Sequence, residues 1–139
     1  MPEEAESTAE IFIRMWSDVD HLEVVEAWWP NDVAFWDKRD LGGCRPRTPQ
    51  IIWDQTILRG MLAETPRAQF SNTMDQVLSR LRSEHFAKLR DRPDSIGADI
   101  WVLFFCRSAA STLSIGHEFV RELAKHRMGI VMDICLTDP

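Results

Sequence analysis

Ile100-Trp-Val-Leu-Phe-Phe-Cys106 is the stretch on which the fold turns: seven apolar residues with no polar interruption. A run this short and this rich in β-branched and aromatic residues reads as a central strand buried on both faces. Past a Ser/Ala/Thr connector, His117-Glu-Phe-Val-Arg-Glu-Leu-Ala-Lys-His-Arg-Met128 sets Phe119, Val120, Leu123, Ala124 and Met128 at helical spacing. Gly129 follows, where a helix end favours left-handed backbone. Ile130, Met132, Ile134 and Leu136 then alternate with Val131, Asp133 and Cys135, which is strand periodicity. The last quarter of the chain is therefore strand, connector, helix, strand.

Working back toward the N-terminus, Glu10 to Ser17 fits either period. As a strand it sets Phe12, Arg14 and Trp16 against Ile11, Ile13 and Met15; as a helix it gives a stripe of Ile11, Phe12, Met15, Trp16 and Val19. The strand is preferred because Asp18-Val-Asp20 follows, with Asp20 and Glu23 spaced as a capping box for a helix over 21–29 that stops at Pro30. Val33 to Asp37 and Gln50 to Leu58 read as two strands of a hairpin, and the segment 38–49, with Gly42-Gly43 and two prolines, as its long tip. Residues 60–70 read as irregular. Asn72, with Asp75 behind it, reads as the cap of the longest helix, whose inner face is Met74, Val77, Leu78, Leu81, His85 and Leu89 as far as Pro93.

The order β-α-β-β-α-β followed by α-β predicts an α+β fold: a ferredoxin-like two-layer sandwich, a mostly antiparallel sheet with helices packed on one face. If the strands flanking the last helix are parallel, their connection is a crossover. Residues 1–9 read as a disordered acidic N-terminus and 10–139 as a single domain.

Net charge is −6 over 139 residues, and its distribution is uneven. Residues 1–40 carry −8, residues 41–92 carry +4 and the remainder −2. Phosphate binding needs concentrated positive charge, so this balance argues against a general nucleic-acid binder. No segment has the apolar length of a membrane span, which argues against a membrane protein, and the acidic start lacks the marks of a signal peptide. Three widely spaced cysteines, Cys44, Cys106 and Cys135, fit a reducing compartment, so a cytoplasmic location is expected.

Three places resemble a bacterial family known as domain of unknown function 4279. They are Ile11-Phe-Ile-Arg with the helix ending at Trp29-Pro30; Val33-Ala-Phe-Trp-Asp-Lys-Arg-Asp-Leu-Gly42 with Ile52-Trp53; and Leu113-Ser-Ile through Ile134. Together they span most of residues 10–136. The resemblance implies a fold and no reaction, and it supplies no catalytic residues. An alternative is a cone-shaped fold similar to nuclear transport factor 2, which would take residues 5–19 as a helix and Asn31-Asp-Val-Ala-Phe-Trp-Asp37 as an early strand. The helix over 117–128 departs from it.

Chemistry is sparse. His117 and His126 stand nine residues apart and point to opposite sides of one helix. No H-E-x-x-H, C-x-x-C, G-x-G-x-x-G, G-x-x-x-x-G-K or G-x-S-x-G occurs, and neither metal nor cofactor is expected. Cys44 beside Arg45 and Arg47 is an activated-thiol candidate without an assignable base. The best candidate site is the hairpin tip: Trp36, Lys38, Arg39, Arg45, Arg47 and Trp53, which join fixed guanidinium groups to the aromatic type that dominates interface hot spots. A second candidate is a pocket rimmed by Asp18, Asp20 and His21. Of six tryptophans, Trp16, Trp29, Trp53 and Trp101 read as core, and Trp28 and Trp36 as partly exposed.

The expected function is a non-enzymatic, immunity- or antitoxin-like module acting on a protein partner or a second copy of itself. The alternative is a small-molecule binder or small enzyme with its pocket between sheet and helices.

Overall fold

The computed structural model describes residues 8–45, 48–52, 54–106 and 114–136, without the side chains of residues 44–52. Of the stretch 1–9 read as disordered, residues 1–7 lie outside the described residues, as do Arg47 and Trp53 of the expected site. Strand β1 (Thr8–Ser17) leads into helix α1 (Leu22–Glu26), then β2 (Asp37–Arg39), β3 (Cys44–Arg45), β4 (Thr48–Ile52) and β5 (Thr56–Pro66). A 3-10 turn (Arg67–Gln69) opens α2 (Phe70–Leu81), followed by α3 (Glu84–Ala87), a second 3-10 turn (Lys88–Asp91), β6 (Gly97–Cys106), α4 (His117–Lys125) and β7 (Gly129–Leu136). The fold is α+β with a five-stranded mixed sheet in the order β2-β5-β1-β6-β7, while β3 and β4 form a small ladder of their own. Strand β1 pairs antiparallel with both β5 and β6, and β2 antiparallel with β5. Strand β7 runs parallel to β6, as a crossover through α4 requires. No described helix is long and apolar enough to cross a membrane.

Residues 8–17 are a strand, so alternation rather than the helical stripe governs the opening. Ala9, Ile11, Ile13 and Met15 face one way, all with no exposure, and join Ile100, Val102, Phe104 and Leu58 in a single core cluster. Each described helix contributes to that cluster, among others through Val25, Met74, Phe86 and Leu123. Burial of this aliphatic set is the main stabilising term, at about 25 cal/mol per Å² of apolar surface. The opposite row of β1, with Phe12, Arg14 and Trp16, is left to the other side of the sheet.

Several expectations need correction. Strand β6 is an interior strand, between β1 and β7, but only one of its faces is fully buried; Trp101, Leu103 and Phe105 are half-buried on the other. Residues 60–66 are strand, not irregular. Gly60 is there because a Cβ would strike Trp29, Val33 and the Ala34 carbonyl, a packing requirement and not a breaker. A register shift opposite Ile11/Phe12 lets both Leu62 and Ala63 face the core. The first hairpin strand is Asp37–Arg39 rather than 33–37: Val33 is core, and its carbonyl accepts the Trp29 indole N–H at 2.7 Å. Residues 50–58 split into β4 and β5 at a turn. Asn72 lies inside α2, because buried Phe70 extends the apolar stripe one turn N-terminal of Met74. The same helix stops at Leu81 instead of running to Pro93. There the Ser83 hydroxyl donates to the Arg80 carbonyl at 2.7 Å, and Ser83 itself is extended.

Arg92, 5% exposed, ties the closing elements together. Its guanidinium donates to the carbonyls of Leu89, Ile96, His126 and Arg127, so that helix-end carbonyls rather than a carboxylate balance the charge. Burial, and then the nearby charge of Arg127, pushes its pKa below the ordinary arginine value.

Candidate functional site: the open face of the sheet

Alternation on five strands decides which side chains share the face away from the core. The registers place Glu10, Phe12, Arg14 and Trp16 of β1 beside Ile57, Arg59, Met61 and Glu64 of β5. Asp99, Trp101, Leu103 and Phe105 of β6 and Val131 and Asp133 of β7 continue the face, and Asp37 and Arg39 of β2 close it on the far side.

At its centre is a compact set of rings and guanidinium groups. Phe12, 1% exposed, lies with its ring centroid 5.2 Å from both Trp36 and Trp101. The Arg59 guanidinium carbon stands 4.7 Å from the Trp36 ring centroid and 5.7 Å from that of Trp101, while Arg14 stands 4.8 Å from Trp101. Such cation–ring contacts contribute about 0.5–1 kcal/mol where exposed and more where dry. Trp36 caps the set at 58% exposure, its backbone N–H donating to the Arg59 carbonyl at 2.7 Å.

Each arginine of this face is held by an acid. Arg14 donates from Nε and Nη2 to the two oxygens of Asp99 at 2.9 and 2.7 Å, a bidentate pair in which Asp99 is buried. Arg59 donates to Asp37 Oδ2 at 2.7 Å, and Arg39 Nε lies 3.3 Å from the same oxygen. Burial disfavours the charge on Asp37, but the Arg59 hydrogen bond and the charges of Arg39 and Arg59 outweigh it and hold the carboxyl below the usual range. Asp133 accepts the Trp101 indole N–H at 2.6 Å. Glu10 and Glu64 are the contrast: they stand opposite one another across β1 and β5. Partial burial and the Glu64 carboxylate raise the Glu10 pKa above its ordinary value.

At one end of the face lies a pocket of about 270 Å³ lined by Arg14, Trp16, Gln55, Ile57 and Asp99. Gly97 makes room for its wall, since a Cβ there would collide with the Trp16 indole. A second pocket, about 220 Å³, lies between α2 and the start of α4.

The two sequence candidates fare differently. Trp36 belongs to the face as described. Lys38 points to the core side of the edge strand, 3.5 Å from Glu26 and over the Phe35 ring at 4.8 Å. Arg39 is engaged with Asp37, Arg45 is seen as backbone only, and Arg47 and Trp53 lie outside the described residues. Asp18, Asp20 and His21 do not converge on one site. Asp20 does not cap α1: the N-cap is His21, and the Leu22 N–H goes to Asp40 Oδ1 at 2.8 Å, from a residue eighteen positions away. Asp20 instead accepts the hydroxyls of Ser17 and Ser95 at 3.1 and 2.5 Å. His21 Nδ1 lies 3.4 Å from Asp40, and Asp18 accepts from Gln55 at 2.8 Å at the back of the larger pocket. Among the tryptophans, Trp29 is core and Trp28 half-buried, while Trp16 and Trp101 belong to the open face and not to the core under the helices.

Sequence reasoning missed Arg14, Arg59, Asp99 and the role of Trp101. A signal was present for Arg14: a charged residue in the middle of an alternating strand demands a partner across the sheet. Among the described residues no group of three or more His, Cys, Asp or Glu side chains is arranged to hold a metal ion. Comparison with protein-family models, with curated proteins and with solved structures finds no match to this chain.

Proposed function

We propose that this chain is a non-enzymatic protein-binding module whose contact surface is the open face of the sheet, centred on Trp36. One observation carries the reading: an indole 58% exposed is braced from beneath by Phe12 and alongside by Arg59. A rigid, exposed tryptophan next to fixed arginines combines the residue types that dominate interface hot spots, with little side-chain entropy left to lose on binding. Asp99 fixes Arg14, and Asp37 fixes both Arg59 and Arg39, a use of charge suited to orientation and specificity rather than to proton transfer. The occupant is another protein, and the net charge of −6 suits steering toward a basic one in an immunity- or antitoxin-like, cytoplasmic role.

We read the order β2-β5-β1-β6 as a ferredoxin-like sheet backed by one helical layer, to which β7 adds a parallel edge. Kinship with domain of unknown function 4279 is proposed on the same strand–helix opening and closing helix and strand. The second reading, a small-molecule binder, draws on the pocket beside Trp16.

Affinity capture with matched variants tests the binding role. A protein retained by the wild type should be lost on Trp36→Ala and kept on Arg121→Ala, which alters the exposed flank of α4. Retention indifferent to Trp36 overturns the proposal. A dimer in light scattering that Trp36→Ala dissolves would replace the foreign partner with a second copy.

A further inference from the structure

We infer that the pocket lined by Arg14, Trp16, Gln55, Ile57 and Asp99 is the socket for a tyrosine side chain of the partner. This rests on the open-face reading and gives it a specificity. At about 270 Å³ the pocket falls just short of the roughly 300–1,000 Å³ of small-molecule sites, so a single side chain suits it better than a whole ligand. Its charge is already balanced. A carboxylate entering toward Arg14 would also meet Asp99, and an ammonium entering toward Asp99 would meet Arg14, because the two are joined at 2.7 and 2.9 Å. A neutral occupant is therefore favoured.

Trp16 and Ile57 supply the apolar walls for a ring. Two polar functions remain unspent among the described residues: the N–H groups of Arg14 Nη1, since Nε and Nη2 serve Asp99, and Gln55 Oε1, since Nε2 serves Asp18. One is a donor and the other an acceptor. A phenol hydroxyl accepts from the first and donates to the second, whereas a phenylalanine ring would displace water from both without replacing its hydrogen bonds.

The probes are N-acetyl-tyrosinamide, N-acetyl-phenylalaninamide and N-acetyl-glutamate, titrated into the ¹⁵N-labelled full chain and followed by NMR. Tyrosinamide should shift the Trp16 indole and Gln55 side-chain signals saturably, binding about three- to tenfold tighter than the phenylalanine probe, the net worth of one or two hydrogen bonds made in competition with water. Gln55→Met should reduce that preference, leaving the Arg14 hydrogen bond and phenylalaninamide binding intact, and Ile57→Trp should fill the pocket and abolish binding of both probes. Arg121→Ala, on the exposed flank of α4 and outside the pocket, should leave the probes' affinity unchanged. Equal binding of all three probes, or shifts confined to Trp36, overturns the socket. If the socket fails while captured protein still depends on Trp36, the open-face reading stands alone; if the probes bind as described and capture ignores Trp36, that reading falls and the phenol site remains.

Discussion

The two faces of one sheet solve the same packing problem by different chemistry. Under the helices, Ile11, Ile13, Met15, Ile100 and Val102 are dry and make no demand on hydrogen bonding. On the other side, the rings of Trp36 and Trp101 lie against Phe12, and the guanidinium groups of Arg14 and Arg59, each tethered to an aspartate, lie against those two indoles. The first face needs a helical lid because aliphatic side chains offer nothing to water. The second does without one, because arginine is apolar along its stem, stacks flat on rings and carries a solvated head. A face finished in this way remains available to a partner.

The largest effect should come from the dry face. Ile13→Ala, at zero exposure in the central strand, is expected to cost about 2–5 kcal/mol in chemical denaturation, transfer loss and cavity together. Ile134→Ala provides the calibration. Ile134 stands beside Phe104 on the same side of the sheet, but on the edge strand β7 at 60% exposure. It should cost less than about 0.5 kcal/mol. Comparable losses at both positions would show that sheet side, and not cover, sets the energy.

Asp99→Ala attacks the second face at a buried carboxylate. Arg14 would lose two charge-assisted hydrogen bonds and its orientation over Trp101, at an expected cost of about 1–3 kcal/mol. Because Arg14 keeps partial access to water, the loss should stay below that of Ile13→Ala. Trp36→Ala comes next, at about 0.5–1 kcal/mol for one exposed cation–ring contact. A much larger loss on Trp36→Ala would make that indole a structural plug and remove the reason to regard it as a binding anchor.

The dry face was the legible one. Its residues recur with the period of their element, so Ile11, Ile13, Met15, Ile100 and the inner row of α2 could be read without knowing what they touch. The open face is not periodic in that sense. Arg14 acquires meaning only from Asp99, eighty-five residues away, and Arg59 only from Asp37 and Trp36; no local pattern encodes such pairs. The stretch from Gly60 and the cap of α1 misled for the same reason. Position 60 is a glycine because Trp29 and Val33 crowd it, and α1 takes its cap not from Asp20 but from Asp40, eighteen positions away. Trp101 counted as core by composition, and only the register against Phe12 shows that it faces outward.

The smallest predicted effect tests whether the open face has a strained end. Glu10 and Glu64 oppose each other, and burial, then Glu64, raises the Glu10 pKa above 4.5 in the folded chain. A group whose folded pKa is raised contributes stability below its unfolded value, and that contribution is lost as pH rises through the folded one. Directly opposed like charges destabilise a strand pair by about 0.2–1 kcal/mol, toward the low end for partly exposed groups such as these. Glu10→Gln should therefore be the more stable protein near pH 7, and its advantage should shrink as pH falls toward 4.5 and vanish below it. Denaturation midpoints of the two proteins across that window make the comparison. An advantage independent of pH would trace the gain to something other than charge and leave the Arg–Asp contacts as the electrostatics that shape the face.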